Sequence, residues 1–590
     1  TQPLRYERHG DDVFVRAVPD SDVGRRFPDG GFRISPLAGT VFERVGSDEL
    51  LFEDGQSRQQ PYLCLLTPPA RRLGLRLTGH LLALPESRSI TADAYWRENT
   101  AGLTLAADAP PVLQRVAEIL PWFAHNALIH FLAPRGLEQY SGGGWGTRDV
   151  TQGPVELMLA MGRPGPIRDL LLRVFGQQNP DGDWPQWFMF FERERAIRPG
   201  DSHGDVVFWP LLALAQYLHA SGDAGLLDER VPFFVADPAE ARPVTLWQHV
   251  EQAFTLIHAR VIPGTHLAAY GHGDWNDSLQ PADPAMRERL CSAWTVTLHY
   301  QVLTTLAQAL GDLGQTERAG ALETLAAEVL ADFHRYLYVD DIVTGYAYFE
   351  AGGGIDYLLH PRDRRTGLSY SLLPMMHAVI NDMLSPTEAR NQLEAIRAHL
   401  HGPDGAHLFD HPMIYRGGPM TTFQRAESSS YFGREIGNMY THAHLRYAEA
   451  LWRFGDAEGF FAALSKAIPI DPQSWVPAAA RRQANCYYSS SDAAFPDRYQ
   501  AYDDYARALT GEVPLEGGWR VYSSGAGISV SLILRCLFGL RLSTMALTVD
   551  PVLPAAFNGQ RVEMDLVGRR FGIHYTCLLY TSPSPRDQRG

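Results

Sequence analysis

The chain has 590 residues, of which 45% are hydrophobic and 20% are charged. This length predicts two to four domains, and the composition is ordinary for a globular protein. The formal net charge of -15 argues against a nucleic-acid partner, because the chain has no basic stripe that could displace counterions from phosphates.

Residues 1–107 alternate apolar and polar side chains in short runs, which predicts β-strands. The clearest runs are Asp12–Arg16, Leu50–Phe52 and Leu73–Thr78, separated by clusters of Gly, Pro and Asp. We interpret this segment as an N-terminal β-sandwich. Because the chain begins at Thr1 rather than Met, we expect the sandwich to be truncated.

From Pro111 onward the apolar residues recur at helical spacing. Helices are predicted near 111–133, 154–176, 205–221, 245–260, 287–312, 316–337, 370–384, 387–401, 436–455, 457–467, 497–509 and 526–540. About a dozen helices separated by loops rich in Trp, Gly and Asp favour an (α/α)6 barrel. The predicted barrel domain covers residues 108–541, with its loops forming a sugar-sized pocket at one end.

Strand patterns return after residue 541, at Ala546–Val549, Arg561–Met564 and Phe571–Tyr575. Residues 542–577 are therefore predicted to begin a C-terminal, jelly-roll-like β-domain that is also truncated. Residues 578–590 lose the alternation, and we interpret them as a non-native or disordered tail. The predicted fold class is a multidomain α+β protein.

The five cysteines are scattered, and no Cys-x-x-Cys pair is present. This pattern is typical of buried thiols in a reducing compartment, so a cytoplasmic location is expected. The longest apolar stretch, Ile528–Val549, contains Arg535 and Arg541 and is predicted to be a buried helix and strand rather than a membrane span.

The loop 271–280 (GHGDWNDSLQ) places two carboxylates and an indole between glycines and polar residues. Inverting attack on a glycosidic bond needs a protonated carboxyl at the leaving oxygen and a flat apolar surface under the sugar ring. Asp277 is the candidate for the first role and Trp275 for the second. The alternative is a Gly-Asp-rich turn with a buried Trp. We favour this alternative less, because several other loops of the chain combine polar and aromatic residues in the same way.

Two further loops combine polar and aromatic side chains. In the first, Arg148 and Asp149 offer a cation for an anion and a carboxylate for sugar hydroxyls, or alternatively form a local ion pair. In the second, residues 180–187 and 201–205 contain two Trp, one Gln and several Asp, which suit a rim that stacks on sugar rings and binds their hydroxyls. His203 in this loop is interpreted as a structural hydrogen-bonding group, and no calcium-loop spacing follows Asp181.

The last two loops suggest an anion site. His442 and His444 are two residues apart, which does not place both on one helix face and argues against zinc, so one His facing an anion is favoured. Ser524 and Gly525 precede a predicted helix and suit an anion cradle, or alternatively an ordinary N-cap. With two arginines and one candidate acid, these features favour phosphate as the attacking group.

Five blocks together resemble glycoside hydrolase family 94, the inverting β-glucoside phosphorylases, and look most like its 1,2-β-oligoglucan phosphorylases. The blocks are 136–140 (GLEQY), 145–149 (WGTRD), 182–188 (GDWPQWF), 201–205 (DSHGD) and 434–438 (REIGN). Departures from the cellobiose-specific pattern occur at Gly153, at Arg434–Ile436 and at Ser524–Gly525. These departures argue against cellobiose as the substrate.

The resemblance implies roles for residues at the matching positions. Asp277 would be the general acid, and Trp275 and Asp149 would hold the transferred glucose, with Glu435 at the neighbouring sugar. Phosphate would be surrounded by Arg148, His442, Ser524 and Gly525. Weaker assignments to the sugar rim are Asp205, Gln186 and Trp187.

The resemblance implies no metal and no organic cofactor, since inorganic phosphate is a co-substrate. The expected partners are an oligosaccharide and phosphate, with a homodimer as a further expectation and neither nucleic acid nor membrane. One alternative is an inverting hydrolase on the same barrel, for which Glu435 is the nominated base. The other is a catalytically inactive carbohydrate-binding protein.

Overall fold

A computed structural model describes residues 4–21, 24, 28–60, 62–81, 91–106, 109–132, 144–189, 194–413, 417–424, 439–518, 520, 523–544 and 546–576. Contacts between Cα atoms divide the chain into two compact units, Thr1–Ala92 and Asp93–Gly590. The first boundary falls earlier than the predicted one at residue 107, and the three-domain division stays a prediction. The interpretation of the tail 578–590 concerns residues outside the described part.

The first unit is built from antiparallel strands: β1 (Leu4–His9), β2 (Asp12–Ala17), β3 (Gly30–Pro36), β4 (Arg44–Gly46), β5 (Cys64–Leu66) and β6 (Leu75–Leu81). Four of them form a sheet in the order β1-β2-β3-β6, and β4 pairs with β5. Val13, Val15, Ile34 and Phe42 form a small buried core, against which Val45 and Leu65 pack. The alternation of β2 therefore turns its valines inward, as the sequence predicted.

The predicted strand at Leu50–Phe52 is wrong, because Asp48–Leu51 forms a 3-10 turn. Asp48 is buried, and its carboxylate accepts hydrogen bonds from the backbone N–H groups of Arg58 and Gln60 at 2.7 and 3.1 Å. The chain turns around this carboxylate, and the apolar residues of the predicted strand therefore belong to a turn.

The second unit is mainly helical. Its helices are α1 (Ala92–Asn99), α2 (Pro111–Leu132), α3 (Thr147–Val150), α4 (Gly153–Ala160), α5 (Gly165–Phe175), α6 (Phe208–Ser221), α7 (Leu246–Ala259), α8 (Ala293–Asp312), α9 (Thr316–Tyr336), α10 (Leu372–Ile380), α11 (Pro386–His399), α12 (Thr441–Phe454), α13 (Ala457–Lys466), α14 (Arg498–Asp503), α15 (Ala506–Leu509) and α16 (Ser524–Leu532). A π-helical turn, Ile533–Leu537, follows α16. A continuous core of buried apolar side chains joins these helices.

Short strands lie between the helices of the second unit. They are β7 (Thr104–Leu105), β8 (Gly144–Gly146), β9 (Trp187–Met189), β10 (Arg230–Pro232), β11 (Pro243–Thr245), β12 (Leu290–Ser292), β13 (Tyr338–Val339), β14 (Ile342–Val343), β15 (Tyr346–Phe349), β16 (Ile355–Leu358), β17 (His401–Gly402), β18 (Gly405–Ala406), β19 (Met439–Tyr440), β20 (Ser490–Ala493) and β21 (Leu515–Gly517). Most consist of two to four residues, too few for a period-two pattern to be distinguished in the sequence.

Most predicted helices have counterparts within a few residues of the observed bounds. The predicted helix 497–509 is wrong as a single element, since α14 and α15 are separate helices. The predicted helix 154–176 is also wrong as a single element, since α4 and α5 are separate helices. Gly162 between them has a φ of 68°, a left-handed conformation that ends a helix and that glycine adopts without strain. Thr245 caps α7 and Ser385 caps α11, and each forms a capping box with the residue three positions later.

Strands return at the C-terminal end as β22 (Leu540–Leu542), β23 (Leu547–Val549), β24 (Arg561–Leu566) and β25 (Arg569–His574). The last three correspond to the predicted runs, whereas β22 was not predicted. Strand β24 pairs with β25 and also with β7, so Thr104–Leu105 belongs with the second unit. None of the helices in the described part of the chain has the length and apolar content that crossing a bilayer requires.

Candidate active site

The segment that carries Arg148 is fixed by the neighbouring Trp-rich loop. Strands β8 and β9 pair, with Trp145 opposite Phe188. Immediately afterwards, the Thr147 backbone N–H donates to the Gln186 carbonyl at 3.0 Å, and its hydroxyl donates to the Pro185 carbonyl at 2.6 Å. Two loops that the sequence presented separately therefore form one wall of the site.

The Arg148 guanidinium joins the loop that contains the candidate acid. Its Nη2 donates to Oδ1 of Asp277 at 2.8 Å, and its Nη1 donates to the Asp274 carbonyl at 2.8 Å and lies 3.5 Å from Oδ2 of Asp205. Burial by itself would lower the pKa of Arg148, but Asp205 and Asp277 outweigh it and raise the pKa. Arg148 is therefore a permanently charged cation beside the candidate acid.

His203 lies on the other side of the Asp277 carboxylate. The Gln280 amide nitrogen lies 3.0 Å from Nε2 of His203, which leaves the ring proton on Nδ1. This Nδ1 lies 3.1 Å from the Asp274 carbonyl and 3.3 Å from Oδ1 of Asp277. Burial, followed by the charge of Arg148, lowers the pKa of His203. His203 thus contacts its neighbours through its ring nitrogens, as predicted, and it also lies beside the carboxylate of the candidate acid.

Asp205 does not fit the sugar-rim role that was assigned to it. Its side chain is fully buried, and Oδ2 accepts from Nε1 of Trp209 at 2.8 Å in addition to its contact with Arg148. A carboxylate without solvent access cannot contact a sugar hydroxyl in this arrangement. The structure corrects the assignment: Asp205 orients and neutralises Arg148 from behind.

Gln186 is also used within the protein, since its side-chain oxygen accepts from the His203 backbone N–H at 3.1 Å. Trp187 and Asp149 are both partly exposed. The Asp149 carboxylate lies directly over Gly146, whose ideal Cβ would come within 1.8 Å of it. Only a glycine at position 146 leaves room for this carboxylate. Glu435, the remaining predicted sugar contact, lies outside the described residues.

Asp274 is a buried acid whose oxygens are both engaged. Ser292 Oγ donates to Oδ2 at 2.7 Å, and the Asn276 backbone N–H donates to Oδ1 at 2.9 Å. Burial, reinforced by the nearby charge of Asp205, raises the pKa of Asp274 to about 7. Its engaged oxygens make Asp274 a poorer candidate than Asp277 for proton transfer to a substrate.

The raised pKa of Asp274 predicts a pH-dependent stability. The folded protein holds a proton that an unfolded Asp releases near pH ~4, so the stabilisation is present below that pH and is lost as pH rises through about 7. Asp274→Asn removes this titration, and the Tm of the wild type should fall relative to the variant between pH ~5 and pH ~8. Thermal unfolding of both proteins across this range checks it, and parallel Tm profiles would contradict it.

Trp275, the predicted sugar platform, stacks on His442, the predicted phosphate contact. Their ring centroids are 4.8 Å apart with an interplanar angle of 28°. Tyr440 lies against the same indole at 5.2 Å. The sugar and anion residues proposed from separate loops are therefore in direct contact, although they are far apart in sequence.

Gln152 links Arg148 to His442. Its amide nitrogen donates to the Arg148 carbonyl at 3.0 Å, and its amide oxygen lies 3.1 Å from Nε2 of His442. A carbonyl oxygen only accepts, so the nitrogen must face Arg148 and the oxygen must face His442, whose proton is consequently on Nε2. Burial, followed by the charges of Arg446 and His130, lowers the pKa of His442 well below its usual value. The ring is neutral in this arrangement.

The sequence analysis did not select Gln152. Its only local signal is its position four residues after Arg148, which is the spacing of one helical turn. Below the site, Arg446 pairs with Glu156 and Glu449, and Arg535 contacts Glu449 at 2.8 Å. These buried ion pairs, together with Trp275 and His442, line a cavity of about 270 Å³.

Ser524 lies at the start of α16, a few residues before the predicted helix start. Its hydroxyl donates to the Asp149 carbonyl at 3.3 Å and lies 3.3 Å from Nε2 of His130. The next residue, Gly525, packs so closely on Tyr487 that a Cβ would lie 2.0 Å from the phenol oxygen. The start of α16 is thus joined to the segment that carries Arg148.

Three residues that were predicted to surround phosphate, Arg148, His442 and Ser524, therefore lie close together in the structure. Gln152 and Asp149 link them. In the described part of the chain, no group of three or more His, Cys, Asp or Glu side chains is arranged to hold a metal ion.

Comparison with known proteins identifies a family match over residues 95–487, to the catalytic domain of the glycosyl hydrolase 94 superfamily. A 1,2-beta-oligoglucan phosphorylase of Listeria innocua serovar 6a is 44% identical over 449 residues, which covers 75% of this chain and 41% of that protein. A cellobionic acid phosphorylase of Neurospora crassa is 23% identical over 436 residues, covering 70% and 48%. The chain spans less than half the length of either relative.

Two solved structures show weaker likeness. A wild-type glycosidase is 14% identical with a TM-score of 0.43, covering 71% of this chain and 98% of that chain. An α-L-rhamnosidase from Dictyoglumus thermophilum is 11% identical with a TM-score of 0.44, covering 86% and 45%.

Proposed function

Since the chain belongs to the glycosyl hydrolase 94 superfamily, we propose that it cleaves β-1,2-linked gluco-oligosaccharides by inverting phosphorolysis. The products are α-D-glucose 1-phosphate and a glucan shortened by one residue. The proposal rests on the contact between Arg148 and Asp277, which brings an anion-binding guanidinium within 2.8 Å of a candidate acid. The choice of linkage is supported by the Listeria innocua relative, a 1,2-beta-oligoglucan phosphorylase.

In the proposed reaction a phosphate oxygen attacks the anomeric carbon from the face opposite the scissile bond. As that carbon–oxygen bond breaks, Asp277 donates its proton to the departing glucosyl oxygen. Phosphate is already an anion, so no carboxylate base is needed, and one general acid suffices. The same steps in reverse make a glycosidic bond from the sugar phosphate.

The remaining residues bind and orient the reactants in this proposal. Trp275 and Asp149 hold the transferred glucose, and Trp187 and Glu435 contact the sugar chain around it. Phosphate is bound by Arg148, His442, Ser524 and the backbone of Gly525. Gln186 acts indirectly, since its oxygen already accepts from the His203 backbone N–H.

We also propose that the helical region forms an (α/α)6 barrel. The packing order supports this, because α4 contacts α6, α6 contacts α8, α8 contacts α10, α10 contacts α12, α12 contacts α16, and α16 contacts α4. Each of α5, α9, α11 and α13 packs on the member of this set that adjoins it in sequence. The β-sandwich and the jelly-roll-like segment at the two ends belong to the same proposal.

The proposed reaction uses no metal and no organic cofactor. We also propose that the protein is cytoplasmic and forms a homodimer. The location is supported by the cysteines, since Cys64, Cys291, Cys486 and Cys536 are all free thiols in the described part of the chain. Cysteines that remain unpaired are typical of proteins in reducing compartments.

The decisive experiment measures glucose 1-phosphate release from β-1,2-gluco-oligosaccharides with and without inorganic phosphate. Cellobiose and laminaribiose serve as linkage controls. We expect phosphate-dependent release from the 1,2-linked substrate alone. Free glucose in the absence of phosphate would identify a hydrolase, and binding of the oligosaccharide without any turnover would identify a carbohydrate-binding protein.

His442→Ala should raise the KM for phosphate more than the KM for the glucan. The imidazole is the neutral partner of Gln152 and lies beside the proposed anion site, whereas sugar binding depends on Trp275 and Asp149. Steady-state kinetics with each substrate varied in turn checks the result, and the glucan KM of the same variant is the internal control. A change confined to the glucan KM would contradict the phosphate assignment.

A further inference from the structure

The Asp277 carboxyl is paired with a cation in the structure. Arg148 Nη2 donates to its Oδ1 at 2.8 Å, and Nδ1 of His203 lies 3.3 Å from the same oxygen. A guanidinium at hydrogen-bond distance favours the ionised form of a carboxyl group. The proposed reaction, however, needs Asp277 to carry a proton at the moment the glycosidic bond breaks.

Arg148 is anchored so that it can change partner without moving far. Its Nη1 is held by the Asp274 carbonyl at 2.8 Å and lies 3.5 Å from the buried Asp205. The Nη2 atom binds Asp277, and Nε has no hydrogen-bond partner among the residues that the structure describes. Nε and Nη2 form the edge of a guanidinium that binds two oxygens of a phosphate or a carboxylate side by side.

We infer that phosphate binding transfers Arg148 from Asp277 to the incoming anion, and that Asp277 takes up a proton from solvent as a result. This inference rests on the proposed function. The step balances, because the protein gains one anion and one proton; the proton leaves solvent and forms an O–H bond on Asp277, and no other covalent bond changes. Phosphate is therefore the attacking group, and its binding also causes the protonation that allows Asp277 to act as the acid.

The charges around the site favour this exchange over simple addition of an anion. Arg148 already faces the carboxyl groups of Asp277 and Asp205, and Asp274 lies behind it. A phosphate anion added beside an ionised Asp277 would meet like charge in a partly buried site, which is costly. Protonation of Asp277 removes that repulsion. The exchange also disfavours attack by water, since without the anion Asp277 stays paired with Arg148.

The other titratable groups around the Asp277–Arg148 pair in the described residues include Asp205, Asp274, Asp149 and His203, and His442 stacks on the adjacent Trp275. Each could take up a proton instead, so the experiment must separate them. Anion binding and proton binding are linked reciprocally, which means that an anion that drives proton uptake binds more tightly at lower pH. Sulfate suits the test because, unlike phosphate, it does not titrate near neutral pH.

The test measures protons taken up per protein chain when sodium sulfate is added near pH 7 in weakly buffered solution containing a pH indicator. Sodium chloride at equal ionic strength is the blank, and sulfate binding is measured separately by its thermal stabilisation of the protein. We expect uptake approaching one proton per chain for the wild type, close to none for Asp277→Asn, and retained uptake for Asp274→Asn. Arg148→Met should lose both binding and uptake.

Uptake that persists in Asp277→Asn would overturn the inference, as would sulfate binding without uptake or an absence of sulfate binding. A second measurement uses the wild type alone, where sulfate affinity should fall about tenfold per pH unit between the pKa of the acid in the free protein and its higher pKa in the sulfate-bound protein. A pH-independent affinity would also overturn it. Neither readout needs turnover, so failure of phosphorolysis and failure of the exchange can be told apart.

Discussion

Asp277→Asn should lower the rate of phosphorolysis of β-1,2-gluco-oligosaccharides by at least ~10²-fold, the loss expected when a general acid is removed. An asparagine keeps the size of the side chain and can still bond with its neighbours, so the loss reflects the missing proton rather than a collapsed loop. Rates at saturating phosphate and glucan measure the effect, with thermal unfolding as the check that the variant is folded.

A second substrate separates acid catalysis from a positioning effect. An aryl β-glucoside releases a phenolate that needs little help from a proton donor, so we expect the loss in Asp277→Asn to be much smaller with it. Asp169→Asn, which removes a surface carboxylate paired with Arg173 at 2.9 Å, is the matched control and should act like the wild type. Equal losses with both substrates would contradict the acid role.

Gly153→Ala should destabilise the protein by about 1–3 kcal/mol or more, the range for overpacking of a tight contact. A Cβ on Gly153 would lie 2.3 Å from the carbonyl oxygen and 2.5 Å from the Cα of Ser524, and backbone atoms cannot rotate away. On the other side of the contact, a Cβ on Gly527 would lie 2.4 Å from the Gly153 carbonyl oxygen. Helices α4 and α16 thus touch backbone to backbone.

The same substitution should also raise the KM for phosphate, because it displaces Ser524 and the neighbouring Gln152. Thermal and urea unfolding give the stability, and kinetics with phosphate varied give the second effect. Gly320→Ala is the control, since Gly320 lies within α9 and, apart from its chain neighbours and the backbone of its own helix, no described atom comes within 4 Å of its ideal Cβ. We expect that variant to gain up to ~1 kcal/mol from helix propensity. Similar stability changes in both variants would show that the α4–α16 contact is not tight.

The secondary structure could be predicted wherever a local signal was sufficient. The apolar spacing of α7 and α11 is accompanied by capping residues, Thr245 and Ser385, within the same few positions. The prediction failed where a long-range or special local feature decided the structure. The wrong strand at Leu50–Phe52 is a turn around the buried Asp48, and the predicted helix 154–176 is interrupted by the left-handed Gly162.

The candidate site was predicted in part. The family resemblance is confirmed by the match over residues 95–487, and the structure brings Asp277, Arg148, Trp275 and His442 together. The sequence could not show that Asp205 is fully buried behind Arg148. It also did not indicate that His203 lies against the acid or that Gln152 sets the proton position of His442.

The sequence by itself determined most of the helices, the strand-rich segments at the two ends, the loops rich in chemically active side chains, and the family. Each of these follows from periodicity or from a motif within a short segment. Only the tertiary structure decided which loops meet, because Arg148 and Asp277 are 129 positions apart and Gln152 and His442 are 290 apart. Contacts at such separations depend on how helices pack, and no local pattern encodes them. The pairing of the acid with Arg148, from which the proton exchange is inferred, is a property of the folded chain alone.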